Sequence, residues 1–177
     1  LPSTLREIGQ EAFFGCAMEE LALPEGVETL GKRALAECGQ LKTVALPNTL
    51  RRMGYGVFAE CDALQGLTLP ASLTEIDGNP FPQTTLTRYL SASSLQIAPD
   101  NPVLRIEWQM LLAGDTLICA AWGMTEATVP EGVAAIARGA FYGAKVKSVT
   151  LPEGLTDIQD EAFQQCGGLR SVSFPQS

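Results

Sequence analysis

The sequence predicts one α/β solenoid of about seven coils, with a parallel β-sheet on one side, short helical or 3-10 turns on the other, and one β-hairpin segment interrupting the stack. Three observations predict it. Prolines preceded by an apolar residue recur at Pro2, Pro24, Pro47, Pro70, Pro130, Pro152 and Pro175, in steps of 22, 23, 23, 60, 22 and 23 residues. The residues between them return in register. No unit of this length buries its apolar face alone, so neighbouring units must stack and share one core.

Each unit reads the same way from its proline. An aliphatic residue stands three positions on (Leu5, Val27, Leu50, Leu73, Val133, Leu155) and another six on (Ile8, Leu30, Met53, Ile76, Ile136, Ile158). Glycine follows at Gly9, Gly31 and Gly54, where it permits a tight backbone corner. A small and a large apolar residue come next, as Ala12-Phe13, Ala34-Leu35, Val57-Phe58, Ala140-Phe141 and Ala162-Phe163, and this stretch suits one or two helical or 3-10 turns. Cysteine then occupies positions 16, 38, 61 and 166, with Ala144 in its place in the fifth unit. The unit closes on a period-two run (Leu21-x-Leu23, Val44-x-Leu46, Leu67-x-Leu69, Val149-x-Leu151, Val172-x-Phe174), which reads as a strand. Successive strands should pair in parallel about 4.8 Å apart. The proline ends each strand because it has no N–H for the ladder.

Residues Leu41 to Cys61, in the form Leu41-x-x-Val44-x-Leu46-Pro47-x-x-Leu50-x-x-Met53-Gly54-x-x-Val57-Phe58-x-x-Cys61, resemble the BspA-like leucine-rich repeats of bacteria, and the resemblance extends over nearly the whole chain. It implies a right-handed leucine-rich-repeat superhelix. It also implies a bacterial protein of the secreted or surface-attached kind with an adhesive role. The pattern carries no catalytic or metal residue, so none is transferred.

The whole of 1–177 is expected to be one solenoid domain, with regular repeats over 1–83 and 128–177 and an irregular segment over 84–127. The fourth unit starts normally and then departs. Asp77 replaces glycine, and Pro80-Phe81-Pro82 replaces Ala-Phe. Leu86 to Leu90 still reads as a repeat strand, Ser91 to Ser94 as a turn, and Leu95-Gln96-Ile97 as one more short strand. Asp100-Asn101-Pro102 is a turn signal. Leu104 to Trp122 reads as two apolar strands around Ala113-Gly114-Asp115-Thr116, a hairpin. It holds both tryptophans, Trp108 and Trp122. Either the hairpin extends the same sheet, or it makes a distinct binding surface, since tryptophan is enriched at interface hot spots.

Composition narrows the function classes. Twelve basic and twenty acidic residues give a net charge of −8, which disfavours nucleic acid and anionic membranes as partners. No apolar stretch is long enough to span a membrane, so no membrane insertion is expected. No signal peptide is visible, and the chain opens within its repeat, which reads as a processed protein or a piece of a longer one. There is no histidine, which removes the commonest general base and metal ligand. The cysteines lack a C-x-x-C pair, so neither a metal nor a cofactor is expected. They read as a ladder of small buried hydrophobes, each with a weak S–H bond to a turn carbonyl. Disulfides between stacked positions stay open as an alternative. Carboxylates such as Glu7, Glu11, Asp157, Asp160 and Glu161 read as a solvated outer face. Leu1-Pro2-Ser3-Thr4 and Leu46-Pro47-Asn48-Thr49 begin like a sortase signal, but both sit in repeat register and read as repeat residues.

On each strand, the residues alternating with the core should face outward: Glu20 and Ala22, Thr43 and Ala45, Gly66 and Thr68, Arg88 and Leu90, Ser148 and Thr150, Ser171 and Ser173. Such a row either merely suits an exposed sheet or suits a glycan or an extended protein surface. The candidate partner-binding residues are therefore Thr43, Thr68, Arg88, Tyr89, Ser148, Thr150, Ser171, Trp108 and Trp122. The expected function is non-catalytic recognition of a protein or glycan by a secreted or surface-displayed bacterial module. The alternatives are a cytoplasmic location and a scaffolding segment with no ligand of its own. Neither end shows a polar cap, so flanking sequence or self-association through the solenoid ends is expected.

Overall fold

The computed structural model describes residues 1–88, 90–91 and 93–174. The chain is a β-solenoid, and seven three-residue strands mark its coils: Glu20–Ala22, Thr43–Ala45, Leu67–Leu69, Leu95–Ile97, Glu126–Thr128, Ser148–Thr150 and Ser171–Ser173. Five of them fall on the predicted period-two runs, Leu95–Ile97 is the additional short strand that the sequence predicts, and Glu126–Thr128 matches no predicted run; they pair in parallel as predicted, although in three separate pieces rather than one sheet. Of the run expected as a strand over 86–90, Leu86 to Arg88 is not one. Gln83 adopts φ 57°, Thr85–Thr87 forms a 3-10 turn, and the hydroxyls of Thr84 and Thr87 bond to the Phe81 carbonyl. The strand of that coil is Leu95–Ile97, which pairs with Leu67–Leu69. No helix among the described residues is long and apolar enough to cross a membrane.

A second ladder is absent from the sequence reading. The residues before the glycine position of each coil, held by Asp77 in the fourth, form two-residue strands. Glu7–Ile8, Thr29–Leu30, Arg52–Met53 and Glu75–Ile76 pair in parallel as a four-stranded sheet. Gly31 and Gly54 follow these strands without positive φ. A Cβ at Gly31 would lie 2.7 Å from the Gly9 carbonyl carbon, and one at Gly54 would lie 2.7 Å from the Lys32 nitrogen. Close stacking of coils, rather than a tight corner, selects glycine there.

The predicted helical side is not helical. Among the described residues the only helix is Thr85–Thr87. In a helix every N–H bonds within its own segment. Here the donors alternate. Ala12, Phe14 and Cys16 donate to Gly9, Glu11 and Phe13, closing three tight turns within the coil. The intervening Glu11, Phe13 and Gly15 donate to Lys32, Ala34 and Ala36 of the next coil. The same alternation recurs at Arg33, Leu35 and Glu37, and at Gly139, Phe141 and Gly143. Left-handed residues bracket the stretch, with φ 57° at Glu11 and 67° at Gly15, and this stops a helix from propagating. The turn side is thus a third backbone ladder.

The core lies between these ladders. Phe58 and Phe81 stack at 5.8 Å, so Phe81 keeps the repeat position despite its flanking prolines. The cysteine ladder is present: Cys38, Cys61 and Cys166 donate S–H bonds of 3.0 to 3.1 Å to the carbonyls of Phe13, Leu35 and Phe141 in the preceding coil.

The irregular segment is a three-stranded antiparallel meander, not a two-stranded hairpin. Leu104–Glu107, Met110–Ala113 and Thr116–Ala120 pair in order, and Thr116–Leu117 then pairs in parallel with Ala135–Ile136. The extra turn at Trp108-Gln109 has φ 47° and 63°. These values suit a two-residue primed turn, whose usual residues are Asn and Gly. The meander extends the short ladder of the last coils. Both of its faces are buried. Leu111, Ile118 and Cys119 join the hydrophobic cluster of the first coils, while Met110, Leu112 and Leu117 join that of the last coils.

Candidate functional site

The long-strand face brings some of the candidate residues together. Thr43 and Thr68 line one open groove of about 470 Å³, with Asn48, Ser93, Ser94 and Gln96. The Thr68 hydroxyl donates to Gln96 Oε1 at 3.5 Å. The groove exists because Thr43–Ala45 and Leu67–Leu69 belong to adjacent coils but not to one sheet. Ser148, Thr150 and Ser171 lie on the strands after the meander, where Ser148 registers with Ser171 and the Ser173 hydroxyl reaches Thr150 Oγ1 at 3.1 Å. The row of hydroxyls is therefore two patches.

The two tryptophans take different roles. Trp122 is half-buried and fastened: its indole N–H donates to the Thr84 carbonyl at 2.8 Å, and its backbone N–H donates to Thr87. Arg88, displaced from the strand row by the 3-10 turn, places its guanidinium carbon 5.3 Å from the Trp122 ring centre. Lys145, which the periodicity did not single out, approaches the same ring at 5.2 Å. Trp108 instead sits at the meander tip and is 61% exposed. Tyr89 lies outside the described residues.

A second groove of about 710 Å³ opens at the block boundary, between Thr74-Ile76-Asp77 and Thr116, Arg138 and Asp157. Beside it stands a polar cluster that spacing could not reveal. Tyr55 donates to Glu161 Oε2 at 3.1 Å, Arg138 donates to Glu161 Oε1 at 2.6 Å, and the Arg138 guanidinium stacks 4.6 Å over the Tyr55 ring. Arg138 beside it holds the Glu161 carboxyl below its ordinary pKa. Burial, reinforced by the Glu161 charge, pushes the Tyr55 phenol up to about 12. Glu161 is thus half-buried and engaged by two partners, rather than a free residue of the outer face. Other carboxylates also tie coils together, as Glu19 with Lys42 at 2.6 Å and Asp77 with Arg52 at 2.8 Å.

Burial pushes the Cys61 and Cys119 thiols up to about 12, away from the thiolate that nucleophilic chemistry requires. Among the described residues no three His, Cys, Asp or Glu side chains group in a way that could hold a metal ion. What the surface offers is hydroxyls, one exposed indole and open grooves.

Comparison with known proteins agrees with this architecture. The crystal structure of the pneumococcal vaccine antigen PcpA superposes with a TM-score of 0.79 at 25% identity, over 96% of this chain and 42% of that one. A leucine-rich repeat protein from Eubacterium ventriosum gives 0.57 at 16% identity, over 96% of this chain and 57% of that one. A leucine rich cell surface protein from Faecalibacterium prausnitzii gives 0.52 at 19% identity, over 100% and 53%. The chain thus spans about half the length of these proteins. No curated protein matches it. Six copies of the BspA-type leucine-rich repeat match residues 1–101 and 118–177, and the chain belongs to the BspA-type leucine-rich repeat family.

Proposed function

We propose that this chain is a non-catalytic binding module of a bacterial surface or secreted protein, recognising a protein or glycan through its long-strand face and meander tip. One observation carries the reading: Trp108 is held 61% exposed on a turn where its own φ is 47°. A left-handed residue other than glycine or asparagine costs about 1–2 kcal/mol. The cost falls on a large indole that the core does not use, and tryptophan is the residue most enriched where interfaces concentrate their energy. Surface display is supported by the 25% identity with a pneumococcal vaccine antigen.

The test is binding of the labelled protein to a printed glycan array and to an array of purified extracellular proteins. The reading expects at least one ligand whose affinity falls about tenfold or more in Trp108→Gly or in Thr68→Arg. Trp108→Gly should also raise stability by about 1 kcal/mol, because glycine relieves the turn. Binding indifferent to both substitutions, or no binding at all, would leave the scaffolding role in its place.

A further inference from the structure

We propose that the edge of the long-strand face formed by Arg88, Lys145, Lys147 and Arg170, beside the hydroxyls of Ser148, Thr150, Ser171 and Ser173, binds an acidic polysaccharide bearing carboxylate or sulfate groups. The proposal rests on the binding-module reading and names the ligand class for the part of that face after the meander.

The backbone places these cations together. Lys145 donates its N–H to Trp122, Lys147 to Thr125, and Arg170 to Lys147, so the four residues lie on neighbouring coils along the edge where the chain enters its strands. Gly123 donates to the Arg88 carbonyl and brings that coil alongside. Trp122 acts as a positioning residue. Its ring meets Arg88 at 5.3 Å and Lys145 at 5.2 Å, and its own N–H is tied to Thr84. Gly168 stacks on Lys145, where a Cβ would meet the Lys145 carbonyl oxygen at 3.6 Å, so no side chain from that step covers the lysine.

The local charge opposes the charge of the molecule. The net charge is −8, and Arg33, Lys42, Arg52, Arg105 and Arg138 all pair with carboxylates. Lys145, Lys147 and Arg170 are exposed, and none of them reaches a carboxylate among the described residues. Glu126, in register with Ser148, is the acidic neighbour on the strand row. Lys145, Lys147 and Arg170, clustered and not neutralised by a carboxylate among the described residues, form a local positive field for an anion from outside.

The residue order favours a glycan over an acidic peptide. Lys147-Ser148-x-Thr150 and Arg170-Ser171-x-Ser173 repeat a cation followed by two outward hydroxyls on adjacent coils, with Ser148 registered on Ser171 and Thr150 on Ser173. Coils repeat every 4.8 Å or so, which is close to the length of one sugar in an extended chain. Each step therefore offers one charge for an acid group and hydroxyls for the ring hydroxyls. An apolar groove lined by Leu151, Pro152, Leu155, Ile158 and Phe174 lies beyond the far ends of these strands, after Thr150 and Ser173, and none of the four cations lines it.

The experiment measures retention and affinity of the protein on immobilised heparin and on polygalacturonate, with neutral dextran and poly-glutamate as comparisons. Binding to heparin, to polygalacturonate or to both is expected, weakening steeply with added NaCl, with dextran and poly-glutamate bound at least tenfold more weakly. The relative strength on the two acidic chains tells sulfate from carboxylate. The triple variant Lys145→Gln, Lys147→Gln, Arg170→Gln should lose at least tenfold. Arg6→Gln, Lys32→Gln, Arg51→Gln, with the same change in net charge, should bind as the parent does. The proposal is overturned if neither acidic polysaccharide binds, if the two triple variants behave alike, or if poly-glutamate binds as well as the polysaccharides. Array binding that depends on Trp108 or Thr68, without retention on either acidic chain, would sink this proposal and leave the binding-module reading standing.

Discussion

The two sides of the molecule treat its block boundary differently. On the turn side, the coil of Asn79 to Gln83 lies directly on the coil of Arg138 to Gly143: Asn79 donates its backbone N–H to Arg138 and its side-chain amide to Gly139, both at 2.9 Å. On the strand side, Glu75–Ile76 ends the short ladder of the first coils, and the meander, not Glu75–Ile76, pairs with Ala135–Ile136 of the last coils. One side is closed by polar fasteners, while the other holds the apolar meander and opens as the groove of about 710 Å³. The contrast teaches that a coil can be widened on one side only, provided each side satisfies its own backbone and core.

The largest effect should come from the meander. Leu111 is fully buried within the cluster of the first coils, so Leu111→Ala should cost about 2–5 kcal/mol, read as a shift in the urea midpoint. A loss under 1 kcal/mol would mean that the meander merely covers the junction.

Gly139→Ala tests the fasteners next. Gly139 has φ 65°, and an added Cβ would lie 2.8 Å from Tyr55 Cε2. The expected loss is about 2 kcal/mol, falling to about 1 kcal/mol in a Tyr55→Ala background, where only the backbone strain remains. An unchanged loss in that background would mean that the ring does not press on the glycine.

Tyr55→Phe should be the mildest, at about 1 kcal/mol for one hydrogen bond. Its pH signature is sharper. Because the Glu161 carboxyl is held down by Arg138, its contribution is complete above the ordinary carboxylate range and is lost as pH falls through the lowered value. Because the Tyr55 phenol is raised, its contribution is complete below pH 10.0 and disappears as pH rises toward about 12. Denaturant midpoints across both windows, with Glu161→Gln and Tyr55→Phe alongside, should show the acid loss shrink in the first variant and the alkaline loss shrink in the second, the buried Cys61 and Cys119 thiols keeping part of the alkaline loss in both.

The repeat was legible because each coil must bury the same positions, so Leu30, Met53, Phe58 and Cys61 announce themselves by period. The short ladder was not, because Thr29–Leu30 offers one apolar residue per coil and shows no alternation. The turn ladder passed for helix because its left-handed positions carry Glu11, Arg33 and Glu37 rather than glycine. The Trp108-Gln109 turn lacks the Asn-Gly signal, so the first strand of the meander merged with the second. Thr43 and Thr68 were found by alternation and do share a groove. Arg88 was placed on a strand that the prolines of its coil displace. Lys145 and the Tyr55–Glu161 contact belong to no local pattern; the latter joins residues 106 apart in the chain.

The turn side carries a last consequence. Its two left-handed columns are filled by Glu11, Arg33, Gly56, Gly139 and Glu161 in one, and by Gly15, Glu37, Glu60, Gln83, Gly143 and Gln165 in the other. Acid, base, amide and no side chain at all occupy the same backbone shape. Within this one chain, contour and charge vary independently along this edge: the backbone shape repeats from coil to coil while the charge it carries does not.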